Sequence, residues 1–223
     1  MDALTLPNLI ALIQHIVLWA IPVIFAITVH EVAHGWVAKQ YGDNTAFMLG
    51  RLTLNPIKHI DLIGSIILPV LLIASGTGFI LGWAKPVPVD PRHFKNPRAD
   101  MAVVALAGPA SNIIMAIIWV IVARIGLAIG TSANTLTHMA GAGIGVNVML
   151  AIFNLLPIPP LDGSRILSWL LPNRLAWQYN QMDRYGFIII LALLWTGVLG
   201  NILGNPVFLV QDWFFSLTGA ASY

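Results

Sequence analysis

From Ala3 to Val29 the chain carries no Asp, Glu, Lys or Arg, and this run passes directly into His30-Glu31-Val32-Ala33-His34. So long an apolar stretch predicts a helix immersed in lipid. Three ionisable side chains at the end of such a helix are the strongest constraint on the fold, because each charge costs about 2–3 kcal/mol to insert. The fold must therefore give His30, Glu31 and His34 a common partner. The rest of the chain agrees with a membrane setting. Of its 223 residues 58% are hydrophobic and 9% charged, where soluble domains carry about 25% charged residues.

On a helix, positions four apart lie on one face, one turn from each other. His30 and His34 can thus offer two imidazole nitrogens to one metal ion. Glu31 falls about 100° around the helix, beside the ion, where it can take a proton from a metal-activated water. This is the HExxH arrangement of zinc metalloproteases. Metal binding also explains the cluster energetically, since neutral imidazoles and a partnered carboxylate avoid the desolvation penalty.

Composition narrows the alternatives. A net charge of +2 carries no nucleic-acid signal at this size, and the absence of cysteine removes disulfides, Cys zinc sites and thiol catalysis. The N-terminus bears Asp2 and no early Lys or Arg, so it reads as the first membrane helix rather than a cleaved signal.

In order along the chain, a first helix is expected from about Pro7 to Gln40, ended by Gly42-Asp43-Asn44. Arg51, Thr53 and Asn55 alternate with Leu52 and Leu54, a short strand-like pattern. Leu62 to Ala84 is uncharged but broken by Pro69, Gly76, Gly78 and Gly82. Lys85 to Asp100 is polar, and prolines at 86, 88, 91 and 97 exclude helix through much of it. Spanning helices are expected at Met101–Ala123, with Gly108-Pro-Ala-Ser-Asn112 near its start, and at Met139–Leu156, which opens with small residues suited to close packing. Asn154-Leu-Leu-Pro-Ile-Pro-Pro-Leu-Asp162-Gly follows, then a basic stretch to Arg184 and a further spanning helix at about 185–211. The fold class is all-α and polytopic. It has about four spanning helices, a re-entrant or short additional membrane segment, and short extended strands near the site, all in one domain over residues 1–223.

Of 11 Lys and Arg residues, all but Arg124 fall within Lys39–Lys58, Lys85–Arg98 and Arg165–Arg184. The positive-inside rule places these blocks in the cytoplasm, with the motif at the same side of a cell membrane. Blocks one and two then share a side, so Leu62–Ala84 should enter and return. A full span is the alternative.

A catalytic zinc needs a third protein ligand and one open position. His15 lies four turns up the same helix, and His59, His93 and His138 read as surface or interfacial residues. Asp162 follows the helix that returns to the motif's side, in a turn stiffened by Pro157, Pro159 and Pro160. Taken alone it reads as an ordinary Asp-Gly turn.

HEVAH in a membrane helix, GPASN opening a later one and NLLPIPPLDG closing the next resemble the site-2 protease family (M50) of intramembrane zinc metalloproteases. The resemblance covers about residues 25–166, the catalytic core. It implies one Zn2+ per chain held by His30, His34 and Asp162, with Glu31 as general base and Asn154 binding substrate or stabilising the oxyanion. Gly108, Pro109 and Asn112 match the family's GPxxN element, a packing element beside the site, with Asn112 also counted among residues expected to meet substrate. The implied activity is hydrolysis of peptide bonds in or near transmembrane segments of membrane proteins, with the bilayer as the other partner. No PDZ insertion or CBS pair is seen, so a minimal core form is expected. The competing reading is a zinc-binding membrane protein without protease activity, a carrier or scaffold. A carrier would place ionisable residues at mid-membrane on several helices, and the spans at 101–123 and 185–211 have none.

Overall fold

The computed structural model describes residues 6–68, 70–71, 82–130 and 134–219. Among the described residues eight α-helices carry the fold: α1 (Leu6–Gln40), α2 (Thr45–Met48), α3 (Pro97–Ile129), α4 (Asn134–Asn154), α5 (Asp162–Leu170), α6 (Asn173–Asn180), α7 (Gly186–Trp195) and α8 (Val198–Ser216). Three are long and apolar enough to cross a membrane, namely Ile16–Gln40 of α1, Pro97–Ile129 and Thr135–Asn154.

Local chemistry sets the helix limits. Pro97 stands at the first position of α3, where its missing N–H costs nothing. Asp100 in the first turn reaches back to accept the Asn96 N–H at 2.9 Å. Gly130 ends α3 at φ +87° and Gly42 follows α1 at φ +106°, both in the left-handed region that glycine enters freely. Along α3 the inward face is small or polar: Ala105, Gly108, Asn112, Ala116, Val120 and Ala123 are buried. Its outward face shows Ile114, Ile117, Ile118, Ile121 and Ile125, all exposed and all apolar. That is the inverse of a soluble helix and suits lipid contact.

Small residues let α3 and α4 pack closely. A Cβ at Gly143 would lie 2.3 Å from the Trp119 ring, and one at Gly126 would lie 2.6 Å from Thr137 Oγ1. Ala116, Val120, Ile144, Val148 and Phe214 form the buried cluster joining α3, α4 and α8.

The expected strands are not found. Among the described residues there is no strand; 51–55 is irregular, and 82–90 is non-helical without a ladder. Its hydrogen bonds go to side chains and loop carbonyls instead, as set out below. The helix expected at 185–211 is also corrected. It breaks after Trp195, and the pair Asn173–Trp195 and Val198–Ser216 is bent by 80°. Gly197, at φ +74°, makes the corner. The α3 helix runs a turn or more beyond each expected end, and α4 begins at Asn134, before its expected start at Met139.

The two ends of the 62–84 segment meet. Trp83 N–H donates to the Gly64 carbonyl at 3.1 Å, and Ser65 Oγ donates to the Trp83 carbonyl at 2.8 Å. The Trp83 ring fills the space a side chain at Gly64 would need. A single pass over a ~30 Å core would separate these residues, whereas here Gly64 and Trp83 lie at one level. Residues 72–81, which include two of its glycines, lie outside the described set.

Candidate metal centre

The motif helix α1, the first half of α3 and the start of α5 converge at one end of the bundle. His30 Nε2 lies 3.0 Å from His34 Nε2, and Asp162 Oδ2 lies 3.2 Å from the first and 3.3 Å from the second. Three donor atoms thus form a near-equilateral triangle. Zinc–ligand bonds of about 2.0–2.1 Å in a tetrahedron place donors roughly 3.3 Å apart, so the triangle matches.

The remaining ring nitrogens fix the direction of the lone pairs. His30 Nδ1 faces Asn112 Oδ1 at 2.6 Å, and His34 Nδ1 faces the Val104 carbonyl at 2.7 Å. Both partners only accept, so the ring protons sit on Nδ1 and both Nε2 atoms present lone pairs. Those lone pairs point at each other and at Asp162 Oδ2, which is buried and has no hydrogen-bond partner among the described residues. Three acceptors facing one point repel unless a cation lies between them. His30, His34 and Asp162 fit zinc.

The helix α3 supplies this support through one face. A Cβ at Gly108 would stand 2.5 Å from His30 Cε1 and 2.5 Å from His34 Nε2, so only glycine lets both imidazoles rest there. Asn112, one turn on and fully buried, donates through Nδ2 to the Ala26 carbonyl at 3.2 Å and to Asn147 Oδ1 at 3.0 Å. Asn147, also fully buried, is in turn held by the Gly143 carbonyl at 2.8 Å. With both amide protons and its oxygen engaged, Asn112 does not line the cleft. Its place is behind His30, not against a substrate.

Asp162 is placed by close packing of a turn. A Cβ at Gly163 would fall 2.2 Å from the Leu155 carbonyl oxygen, so the start of α5 sits directly on the end of α4. Glu31 lies beside the triangle in the same cleft, and its Oε2 accepts the Val87 N–H at 2.8 Å. An open cleft of about 540 Å³ contains His30, Glu31, His34, Asn154 and Asp162. Asn154 donates through Nδ2 to the Leu150 carbonyl of its own helix at 3.0 Å. His59 is buried, with Nε2 against the Thr53 carbonyl at 2.9 Å, and His93 pairs with Asp43 at 3.0 Å. Neither belongs to the triangle.

Sequence reasoning did not single out Asn147, the Val104 carbonyl or Val87. Asn147 left a signal, a buried amide in an otherwise apolar span. The carbonyl and the N–H leave none, because they belong to every residue.

The chain matches the model of peptidase family M50 over residues 122–196, the part that holds Asn154 and Asp162. Three similar proteins are named "Putative zinc metalloprotease". YwhC of Bacillus subtilis is 43% identical over 188 residues, 82% of each chain. Rip2 of Mycolicibacterium smegmatis is 31% identical over 201 residues, 90% of this chain and 73% of its own. MJ0611 of Methanocaldococcus jannaschii is 29% identical over 161 residues, 72% of each. No solved structure matches. On the extent of these matches, and with a zinc-fitting His30–His34–Asp162 triangle beside Glu31, the chain belongs to peptidase family M50, the site-2 protease type of zinc metalloprotease.

Proposed function

We propose that this chain is an intramembrane zinc endopeptidase that hydrolyses peptide bonds within or near transmembrane segments of membrane proteins. The observation that carries the reading is the position of the metal triangle, on a helix apolar enough to cross a membrane and open to a cleft. A second feature supports the substrate class. An apolar groove of about 630 Å³ runs along α4 beside Trp19 and Phe215, and Leu150 lines both it and the cleft.

His30, His34 and Asp162 would hold the ion, and zinc bound there would supply Lewis-acid activation of water and of the peptide carbonyl. Glu31 takes the proton of the attacking water and hands it to the leaving amine as the C–N bond breaks. Asn154 lines the cleft and has a second amide proton to give to the developing oxyanion. The substrate must be extended locally, because a helical carbonyl is already hydrogen-bonded and shielded. The non-helical backbone at 82–90 beside the cleft is suited to run alongside such a strand.

The orientation follows from charge. Contacts of His30 and His34 with Val104, Gly108, Asn112 and Asp162 bring residues 40, 97 and 154 to one end of the bundle, and with them the three basic blocks. We assign that end to the cytoplasmic face of the cell membrane.

The test is metal analysis with cleavage of a single-span model protein by wild type and Glu31→Gln. About one zinc per chain in both, with cleavage by wild type alone, supports the assignment. Zinc in both without cleavage across a substrate panel favours a non-proteolytic zinc protein.

A further inference from the structure

The segment Lys85-Pro-Val-Pro-Val-Asp90 passes the metal centre as bare extended chain, secured almost wholly by groups from other segments. Lys85 N–H donates to the His59 carbonyl at 2.8 Å. Arg51 Nη2 donates to the Lys85 carbonyl at 2.8 Å and to the Pro86 carbonyl at 3.3 Å. At the far end Asp90 N–H donates to Asp43 Oδ2 at 2.7 Å. Both clamps are built in: Arg51 is 9% exposed and Asp43 is 0% exposed.

Between the clamps the sequence leaves two backbone donors. Pro86 and Pro88 have no N–H, so only Val87 and Val89 can donate there, and Val87 donates to Glu31 Oε2. Lys85 and Val87 each precede a proline, which confines them to extended backbone and stiffens the chain. The Val87 side chain is buried in a notch opened by Gly35, where a Cβ would lie 2.7 Å from Val87 Cγ1 and 2.5 Å from Leu52 Cδ2. The glycine after His34 thus serves this approach.

We propose that Lys85–Asp90 is a strap that aims Glu31, and that Arg51 and Asp43 are positioning residues acting on Glu31 through it. The proposal rests on Glu31 being the base of the proposed reaction. With Oε2 held by Val87, Oε1 remains for the proton. Neither Arg51 nor Asp43 touches the metal triangle, so loosening either clamp should slow turnover without releasing zinc.

The test combines amide exchange with kinetics. Pro86 and Pro88 make the Val87 amide separable by hydrogen exchange and mass spectrometry. It should be protected in wild type and exchange about tenfold faster or more in both Arg51→Met and Glu31→Ala. With zinc near one per chain, Arg51→Met and Asp43→Asn should each lower kcat about tenfold or more while KM stays within about threefold. Arg51→Lys, which keeps one donor, should recover part of kcat. A Val87 amide as fast in wild type as in Glu31→Ala overturns the strap. So does undiminished kcat in Arg51→Met and Asp43→Asn, or loss of zinc together with activity in both. If wild type cleaves nothing while Val87 protection still follows Arg51 and Glu31, the protease reading fails and the strap stands.

Discussion

Asn112 and His30 meet across 2.6 Å in a space closed to solvent, and both Asn112 amide protons are already engaged, by the Ala26 carbonyl and Asn147 Oδ1. The bond settles which imidazole nitrogen keeps its proton, so it settles which one faces the ion. It also links the ion, through Asn147, to the packing of α3 on α4.

Asn112→Leu should therefore weaken zinc binding while leaving all three ligands in place. Partners of this kind are worth about 10–100-fold in metal affinity, and the buried Nδ1–H left unpaired costs about 1–3 kcal/mol. Competition with a chelator of known affinity measures the change. Affinity equal to wild type would remove Asn112 from the support of the site.

Two glycines on facing helices should respond oppositely to alanine. At Gly108 the new Cβ would stand 2.5 Å from atoms of both His30 and His34, whereas at Gly145 the nearest neighbour is Gln211 Nε2 at 3.7 Å. Gly108→Ala should lose zinc and Gly145→Ala should keep it, read by metal content after purification.

Metal removal should be reversible in activity. Chelator treatment should abolish cleavage and zinc should restore it in wild type. Asp162→Ala should not regain cleavage at the same zinc concentration, because two imidazoles alone leave the site short of a protein ligand. Recovery of Asp162→Ala to the wild-type rate would exclude Asp162 from the centre.

Asp43 sets an acid limit on stability. Burial raises the pKa of its carboxyl, but hydrogen bonds from Thr45 Oγ1, the Asp90 and Thr45 N–H groups and His93 outweigh this and hold it below the ordinary carboxylate value. A folded-state pKa below the unfolded one adds stability that is complete above about pH 4 and lost as pH falls through the folded value. Thermal unfolding in detergent between pH 7 and pH 3 should show this loss in wild type, and a flatter acid limb in Asp43→Asn.

The absence of native cysteine makes topology directly measurable. Single cysteines replacing Lys58, Lys85 or Arg174 should react with a membrane-impermeant maleimide from one side, and one replacing Arg124 from the other. Opposite sidedness of positions 58 and 85 would contradict the Gly64–Trp83 closure.

The sequence by itself determined three helices apolar enough to span, the clustering of the basic residues and the pair of histidines, because each depends on local composition or on spacing within one helix. HEVAH needs only the helical period to put His30 beside His34. Asp162 was legible less directly, since nothing in an Asp-Gly turn states what lies opposite; its motif context pointed to it. Tertiary structure alone decided the rest. The proline-rich stretch from Lys85 read only as non-helical, and it is Arg51, Glu31 and Asp43 that take the hydrogen bonds a neighbouring strand would have taken. The last membrane segment read as one apolar helix, but Gly197 turns it by the left-handed conformation hydropathy does not register. Asn112 read as a residue near substrate, and its burial behind His30 became visible only with α1 and α3 in contact. Periodicity speaks for one segment at a time, whereas a lone pair is aimed by whichever group another segment brings to it.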